Sequence, residues 1–561
     1  MCRLFPRWLI AGAACAIVLG LSGCSGIHDY VHSGFKVGPN YTPPAASVAE
    51  RWIDTADARV RRESADLCRW WTVFSDPVLD GLICDAYRQN LTLKQAGCRV
   101  LEARAQLAFA RGNIFPQTQD ATGSYDRIGT AASGPVPGTH FDSWNSGFNL
   151  SWEIDFWGRL RRAITAADDQ VQFSVEDYDA TLVTLLGDVA SNYVTARQAQ
   201  ERIDLTKKNV ELQRGILNIT KARLEVGRVG ELDVDQAETT MEQTAAQIPA
   251  LEINLRQAEN QLCILLGMPP ADLRARLGVR AIPTAPPEVA VGMPADLLTR
   301  RPDVRRAERA AAAQAEQIGI AQALFYPIMQ INGNMGYSAQ NFADLFKSSA
   351  FNGSVGPSFQ WNILNYGRIL ANVKLQDQKF REQVLAYQQQ VLQAADETEN
   401  GVVTFLQAQQ QTKDAHAAVI AAQKAMDIVI AQYKVGTVDF NRVATIEQTL
   451  VQVQDLEAQS RGLIATGLIQ VYRALGGGWQ IRLQQGEGSG LVQPPQVPGA
   501  AEHLPAPTPV PIPAPMGEHG PLPPVNLPKA PVPDKDGHYQ PKPLPESLDR
   551  GYAMVNPGLS K

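Results

Sequence analysis

Histidine and cysteine are scarce here. The 561 residues hold seven of each, with no C-x-x-C pair, no H-E-x-x-H, no G-x-S-x-G and no phosphate-binding glycine loop. The patterns that build zinc centres, serine hydrolases and nucleotide sites are therefore missing. No enzyme, metal or organic cofactor is expected. After the N-terminus no apolar run approaches the roughly 20 residues of a membrane helix, which speaks against a helical membrane protein. Positive charge is not in excess either: 51 basic against 57 acidic residues leave a net charge of −6, and nucleic acid is a poor expectation as a partner. Proline, 37 in all, is absent from Arg159 to Glu225 and again from Arg368 to Lys434.

At the N-terminus Arg3 and Arg7 precede an apolar run from Trp8 to Leu21, and Leu21-Ser-Gly-Cys24 follows. That order reads as a secretory signal, residues 1–23, ending in a lipoprotein cleavage box. Loss of the segment takes the net charge from −6 to −8. The mature chain is then expected to start at Cys24, with acyl chains on its thiol and amino group as the only covalent addition. Two or more chains anchor stably where one is marginal. Cys68, Cys84, Cys98 and Cys263 remain, and Cys68 with Cys84 is the candidate disulfide. From Pro494 to Lys561 the chain holds 19 prolines and little to bury, which predicts an extended, disordered tail.

Between these ends the chain repeats itself at a constant offset of 209. Trp152 matches Trp361, Gly158-Arg159 matches Gly367-Arg368, Val226-Gly227 matches Val435-Gly436, Glu238 matches Glu447, and Leu266-Gly267 matches Leu475-Gly476. Register held without a gap over more than a hundred residues suits long helices, because one inserted residue would rotate everything beyond it by about 100°. The proline-free runs predict helices over 159–225 and 368–434, each about 100 Å long, turning at Gly227 and Gly436. Return helices follow over 231–266 and 439–475. Another helix is expected from Asp296 to Ala323.

Four short alternating segments, 117–130, 143–156, 328–340 and 351–364, read as strands in two hairpins, the weak signature of an outer-membrane barrel. Pro116 and Pro327 stand where helix becomes strand, since proline ends helices. Gly158 and Gly367 stand where strand becomes helix, since glycine permits a sharp change of direction. Four strands have open edges that lipid cannot satisfy, so an oligomer is predicted, three copies giving 12 strands. The expected organisation is an anchor and equatorial segment over 24–77, a first repeat over 78–267, a linker over 268–295, a second repeat over 296–479 and the tail from 494.

The motifs Leu21-Ser-Gly-Cys24, Val37-Gly-Pro-Asn-Tyr41, Asp76-Pro77, Ser151-Trp-Glu-Ile-Asp-Phe-Trp-Gly-Arg159, Leu297-Leu-Thr-Arg-Arg-Pro-Asp-Val-Arg305 and Phe325-Tyr-Pro327 together resemble the TolC-like outer-membrane efflux factors, in their OprM and NodT lipoprotein branch. The resemblance covers Cys24 to Trp479. It implies a mixed α and β membrane protein: a homotrimer whose 12-stranded outer-membrane barrel continues as a long periplasmic α-helical barrel with an equatorial collar. Such a protein is the passive exit duct of a tripartite efflux system in a Gram-negative cell. Its partners are a periplasmic adaptor and an inner-membrane pump of the resistance-nodulation-division class, and its cargo is drugs or other toxic small molecules. Ser25, rather than Asp, after the lipidated cysteine implies the outer membrane.

By the same resemblance the turns Val226-Gly227-Arg228 and Val435-Gly436-Thr437 are the adaptor-contact tips, with Arg228 departing from the usual small or apolar residue. The family often carries a gate carboxylate where this chain has Thr445. Glu238 and Glu447 are the candidate substitutes, six carboxylates in a trimer, with Asp233, Asp235 and Asp439 as competitors. Acidic residues near helix starts are also ordinary dipole complements. The alternative from another class is a structural lipoprotein, a helical spacer between outer membrane and cell wall, which predicts no membrane barrel.

Overall fold

A computed structural model describes residues 30–63, 66–130 and 139–484. The expected signal segment, Cys24 and the proline-rich tail lie outside the described residues. The chain divides into two compact units, Met1–Pro495 and Gln496–Lys561, and the described residues belong to the first.

Helix α1, Pro77–Gln89, opens on Asp76, whose carboxylate accepts from the Val78 amide at 2.9 Å with proline in the first turn. Asn90 ends it and caps α2, Leu91–Gly112, by accepting from the Leu93 amide at 2.8 Å. Strands β1, Thr118–Thr130, and β2, Thr139–Ile154, form a hairpin that feeds α3, Arg159–Glu225, a helix of 67 residues. The return path is α4, Glu231–Ala245, and α5, Gln247–Leu265. The second half repeats the plan: α6, Pro302–Ala323; β3, Ile328–Ala339; β4, Phe351–Gln360; α7, Arg368–Val435; and α8, Phe440–Ala474. At about 1.5 Å per residue α3 and α7 each run about 100 Å.

Four expected boundaries move. Strand β2 begins at Thr139, four residues ahead of the expected 143, because its pairing with β1 continues out to Thr130. The first return helix is two, broken at Ala246, because Pro249 lacks the N–H that a continuous helix would bond back to Ala245; it is tolerated in the first turn of α5. The helix expected from Asp296 divides at Arg301 ahead of Pro302, since the residue before proline avoids the helical region. Strand β4 stops at Gln360, and Trp361 turns away with its indole N–H bonded to the Phe325 carbonyl at 2.9 Å. Cys68 and Cys84 are free thiols: Cys68 packs on the core while Cys84 is exposed on α1.

Helix α3 packs against α2, α5, α6 and α8, and α7 against α6 and α8. The main core lies where these helices meet the segment before α1, around Trp70, Leu82, Leu186, Tyr193, Leu262, Phe405 and Leu468. A smaller, separate core fills the far end, with Ile216, Leu217, Val234, Met426, Val429, Tyr433, Phe440 and Val443. Inside the larger core two-residue strands, Val60–Arg61 and Val289–Ala290, pair in parallel. No described helix is long and apolar enough to cross a membrane.

Candidate functional site: the strand wall and the helical tips

The four long strands form one antiparallel sheet in the order β1-β2-β3-β4. Its register sorts side chains by chemistry. Phe148 lies opposite Met335, Trp152 opposite Ile331, Ile154 opposite Met329 and Met329 opposite Phe359, so one face is apolar across three strands. On the other face Ser151 donates to Asn332 at 2.8 Å, Asn332 to Ser358 at 2.8 Å, and Ser354 to Asn334 at 2.8 Å. An apolar face backed by a hydrated polar ladder is what a wall between lipid and water needs. Strands β1 and β4 each have one neighbour, so both outer edges carry unpaired backbone groups that hydrocarbon would not tolerate.

The strand-to-helix junctions share a left-handed glycine, although the second also holds Tyr366 at φ of 49°. Gly158 and Gly367 both have φ of 79°, left-handed geometry that costs a side-chain-bearing residue about 1–2 kcal/mol. They differ in cover. Across Gly158 lies the segment Tyr30–Tyr41: Val37 N–H donates to the Trp157 carbonyl at 3.0 Å, Arg161 to the Gly34 carbonyl at 2.9 Å, and Arg162 to the Val37 carbonyl at 2.6 Å. Arg162 is fully buried and paired with Glu316 at 2.7 Å. Nothing lies near the Gly367 Cβ direction. Pro116 and Pro327 sit in the short links that lead into β1 and β3.

At the opposite ends α3 and α7 stop in matching turns. Gly227 has φ of 68° and Gly436 of 84°. Arg228 N–H returns to the Arg223 carbonyl at 2.9 Å, and Thr437 N–H to the Gln432 carbonyl at 3.0 Å. Val226 and Val435 are left 69% and 76% exposed, apolar side chains offered to whatever meets these turns. The two turns are joined through Arg223, whose guanidinium stands 4.5 Å from the centre of the Tyr433 ring and donates to the Tyr433 carbonyl. The Tyr433 hydroxyl donates to Thr220 at 3.1 Å.

The candidate gate carboxylates separate. Glu238 is exposed on α4, 4.0 Å from Lys221. Asp235 is exposed beside it. Asp233 accepts from the Gly230 amide at 3.3 Å, and Asp439 caps α8 by accepting from the Arg442 amide at 3.1 Å. Thr445 is exposed and donates to the Asn441 carbonyl. Glu447, expected to match Glu238, is instead 2% exposed inside the helical wall. The difference arises because α4 packs mainly on α3, whereas α8 lies against both α7 and α3. Burial pushes the Glu447 carboxyl up to about 7, opposed by a hydrogen bond from Gln213. Among the described residues no three acidic, His or Cys side chains gather as a metal site.

Arg223, Tyr433, Gln213 and Thr244 escaped the sequence reading. The repeat carried a signal for them, since Leu224 stands where the second copy has Tyr433, and Ala422 where the first has Gln213. The motif-level match drew attention to identities, and these residues are differences.

A family model, outer membrane efflux protein, matches residues 82–268 and 293–477, more than half of the chain and both helical repeats. The chain belongs to the outer membrane efflux protein family. A nodulation protein T of Rhizobium leguminosarum bv. trifolii is 28% identical over 407 residues, 72% of this chain and 86% of its own. The probable efflux pump outer membrane protein TtgC of Pseudomonas putida is 28% identical over 496 residues, 87% of this chain and 99% of its own. Among solved structures the outer-membrane channel OprN superposes with a TM-score of 0.75 at 29% identity, over 79% of this chain and 99% of that one.

This member of the outer membrane efflux family is an outer-membrane exit channel that reaches into the periplasm. The family is one of transport channels, not of enzymes.

Proposed function

We propose that three copies of this chain, each giving four strands, close one 12-stranded outer-membrane barrel, and that their long helices continue it as a periplasmic duct in a tripartite efflux system. The observation that carries this reading is a single sheet, apolar on one face and polar on the other, with both edges open and running directly into helices of about 100 Å. Neighbouring copies satisfy the edges of β1 and β4 and, through the same contacts, close the helical wall. A spacer lipoprotein has no use for such a sheet.

In this reading Cys24 carries the lipid after removal of residues 1–23, residues 24–77 and 268–295 build the collar, and 78–267 and 296–479 are the two staves. The tips Val226-Gly227-Arg228 and Val435-Gly436-Thr437 meet a periplasmic adaptor, which joins the duct to an inner-membrane pump of the resistance-nodulation-division class. Glu238 and Asp235, exposed near the first tip, are the carboxylates available to a constriction, where negative charge attracts cations. Relatives named for toluene, antibiotic and pyoverdine export support a cargo of small organic molecules.

Purified full-length protein tests the reading in two ways. A heat-modifiable trimer on gels and discrete single-channel conductance in planar bilayers are expected. A monomer in detergent, or no conductance even with Glu238→Gln and Asp235→Asn combined, would refute it.

A further inference from the structure

Between the two cores runs a layer of buried polar side chains: Thr206, Asn209 and Gln213 on α3, Thr244 on α4 and Glu447 on α8. Asn209 donates to Gln454 of α8 at 2.9 Å, and the Gln213 amide donates to Thr244 at 2.9 Å. The layer lies beside the break at Ala246, where α4 gives way to α5. Two buried acceptors in it have no donor, Glu447 Oε1 and Gln213 Oε1, and Gln213 is the side chain that hydrogen-bonds Glu447.

An ionised carboxylate has only acceptors, whereas a carboxylic acid has one O–H. A single proton on Glu447 therefore turns a buried acceptor into a donor, inside a layer that holds a second orphaned acceptor, Gln213 Oε1. A buried polar group without a partner is destabilising, so the native packing favours the neutral acid.

We propose that Glu447 is a proton-operated pin between α8 and α3: protonated, it holds the tip hairpins together, and ionised, it loosens them at the polar layer so that the duct end opens. The proposal rests on reading the tips as the closing end of the duct. The exposed carboxylates play no part in it. Charged side chains near this level on every packed helix are exposed: Glu211 and Arg214 on α3, Glu238 and Glu242 on α4, Lys424 and Asp427 on α7, Arg442 on α8 itself. None of them biases the titration, which burial raises and Gln213 opposes.

The sign follows from a raised acid. Below the ordinary carboxyl range the packed tip bears no penalty. As pH rises toward about 7 the packed tip loses out to the loosened one by up to about tenfold per pH unit, and above that the effect is constant.

The experiment is open probability of the full-length channel in planar bilayers from pH 5 to 8, for wild type, Glu447→Gln and Glu242→Gln, the last an exposed carboxylate at the same level. Wild type should open increasingly up to neutrality. Glu447→Gln, neutral at every pH and still carrying N–H donors, should stay at the low-pH level throughout, while Glu242→Gln keeps the wild-type profile. A wild-type profile in Glu447→Gln, or its loss in Glu242→Gln alone, overturns the proposal. Silence at every pH of wild type and also of the combined Glu238→Gln and Asp235→Asn variant overturns the duct reading instead. Hydrogen exchange of the segments 213–244 and 440–450 then still decides: a wild-type excess over Glu447→Gln that grows from pH 5 to 7 supports the pin, and no difference overturns it.

Discussion

Arg223 is the side chain that most directly ties one helical hairpin to the other at the tips. It leaves the last turn of α3, lies on the Tyr433 ring and donates to the Tyr433 carbonyl at the C-terminal end of α7, where the helix dipole also favours a cation. Gly436 lies close beside it, a Cβ there standing 3.2 Å from the guanidinium. A half-exposed cation–π contact is worth about 1 kcal/mol and a hydrogen bond from a charged donor about 1.5–3 kcal/mol. Allowing for the entropy of holding a long side chain still, Arg223→Ala should weaken the clasp by about 2 kcal/mol per chain, or about 30-fold in the ratio of joined to separated tips. Arg223→Lys keeps the charge without the planar fork and should recover about half of that. Single-channel recordings at fixed pH measure the open population. If Arg223→Ala opens within twofold of wild type, or Arg223→Lys opens more often than Arg223→Ala, the clasp does not hold the tips.

Other consequences are checkable. Gly158→Ala and Gly367→Ala share a left-handed backbone cost of about 1–2 kcal/mol, but the new Cβ at 158 meets Lys36 at 2.6 Å while that at 367 meets nothing. Only Gly158→Ala should expose residues 30–41 to limited proteolysis. Arg162→Met leaves Glu316 buried without its partner and should cost about 3–5 kcal/mol in denaturant unfolding, most of it regained in Arg162→Met/Glu316→Leu. Gly436→Pro removes an N–H bonded to Gln432 and forbids φ of 84°. It should abolish export in cells while membrane insertion, read by fractionation, stays normal.

The long helices were legible because proline-free stretches of 67 residues bounded by glycine leave the backbone little alternative. Strand positions were legible from alternation, yet their ends were not. The chain leaves β4 at Gln360 because Gln360 lies opposite Ile328, where its partner strand begins after Pro327, a pairing made across 32 residues of sequence. Pro249 was in plain view, and its consequence, a return helix in two pieces, was missed because the apolar spacing continues through it.

The tips show the same division. Their turns are written locally, in Val226-Gly227 and Val435-Gly436. What joins them is not, since Arg223 and Tyr433 stand 210 residues apart. Glu238 and Glu447 are the same letter at the same repeat position, and symmetry of sequence suggested symmetry of role.

The sequence by itself determined the elements and their order, because periodicity, proline and glycine act on the nearest few residues. It also carried the need for neighbours, since four strands leave two edges open. Only the tertiary structure decided which side of each helix is covered. One glutamate therefore faces water, 54% exposed, while its repeat partner is sealed between helices at 2%. Burial depends on which distant helices arrive at a face, and spacing along a single helix does not record that.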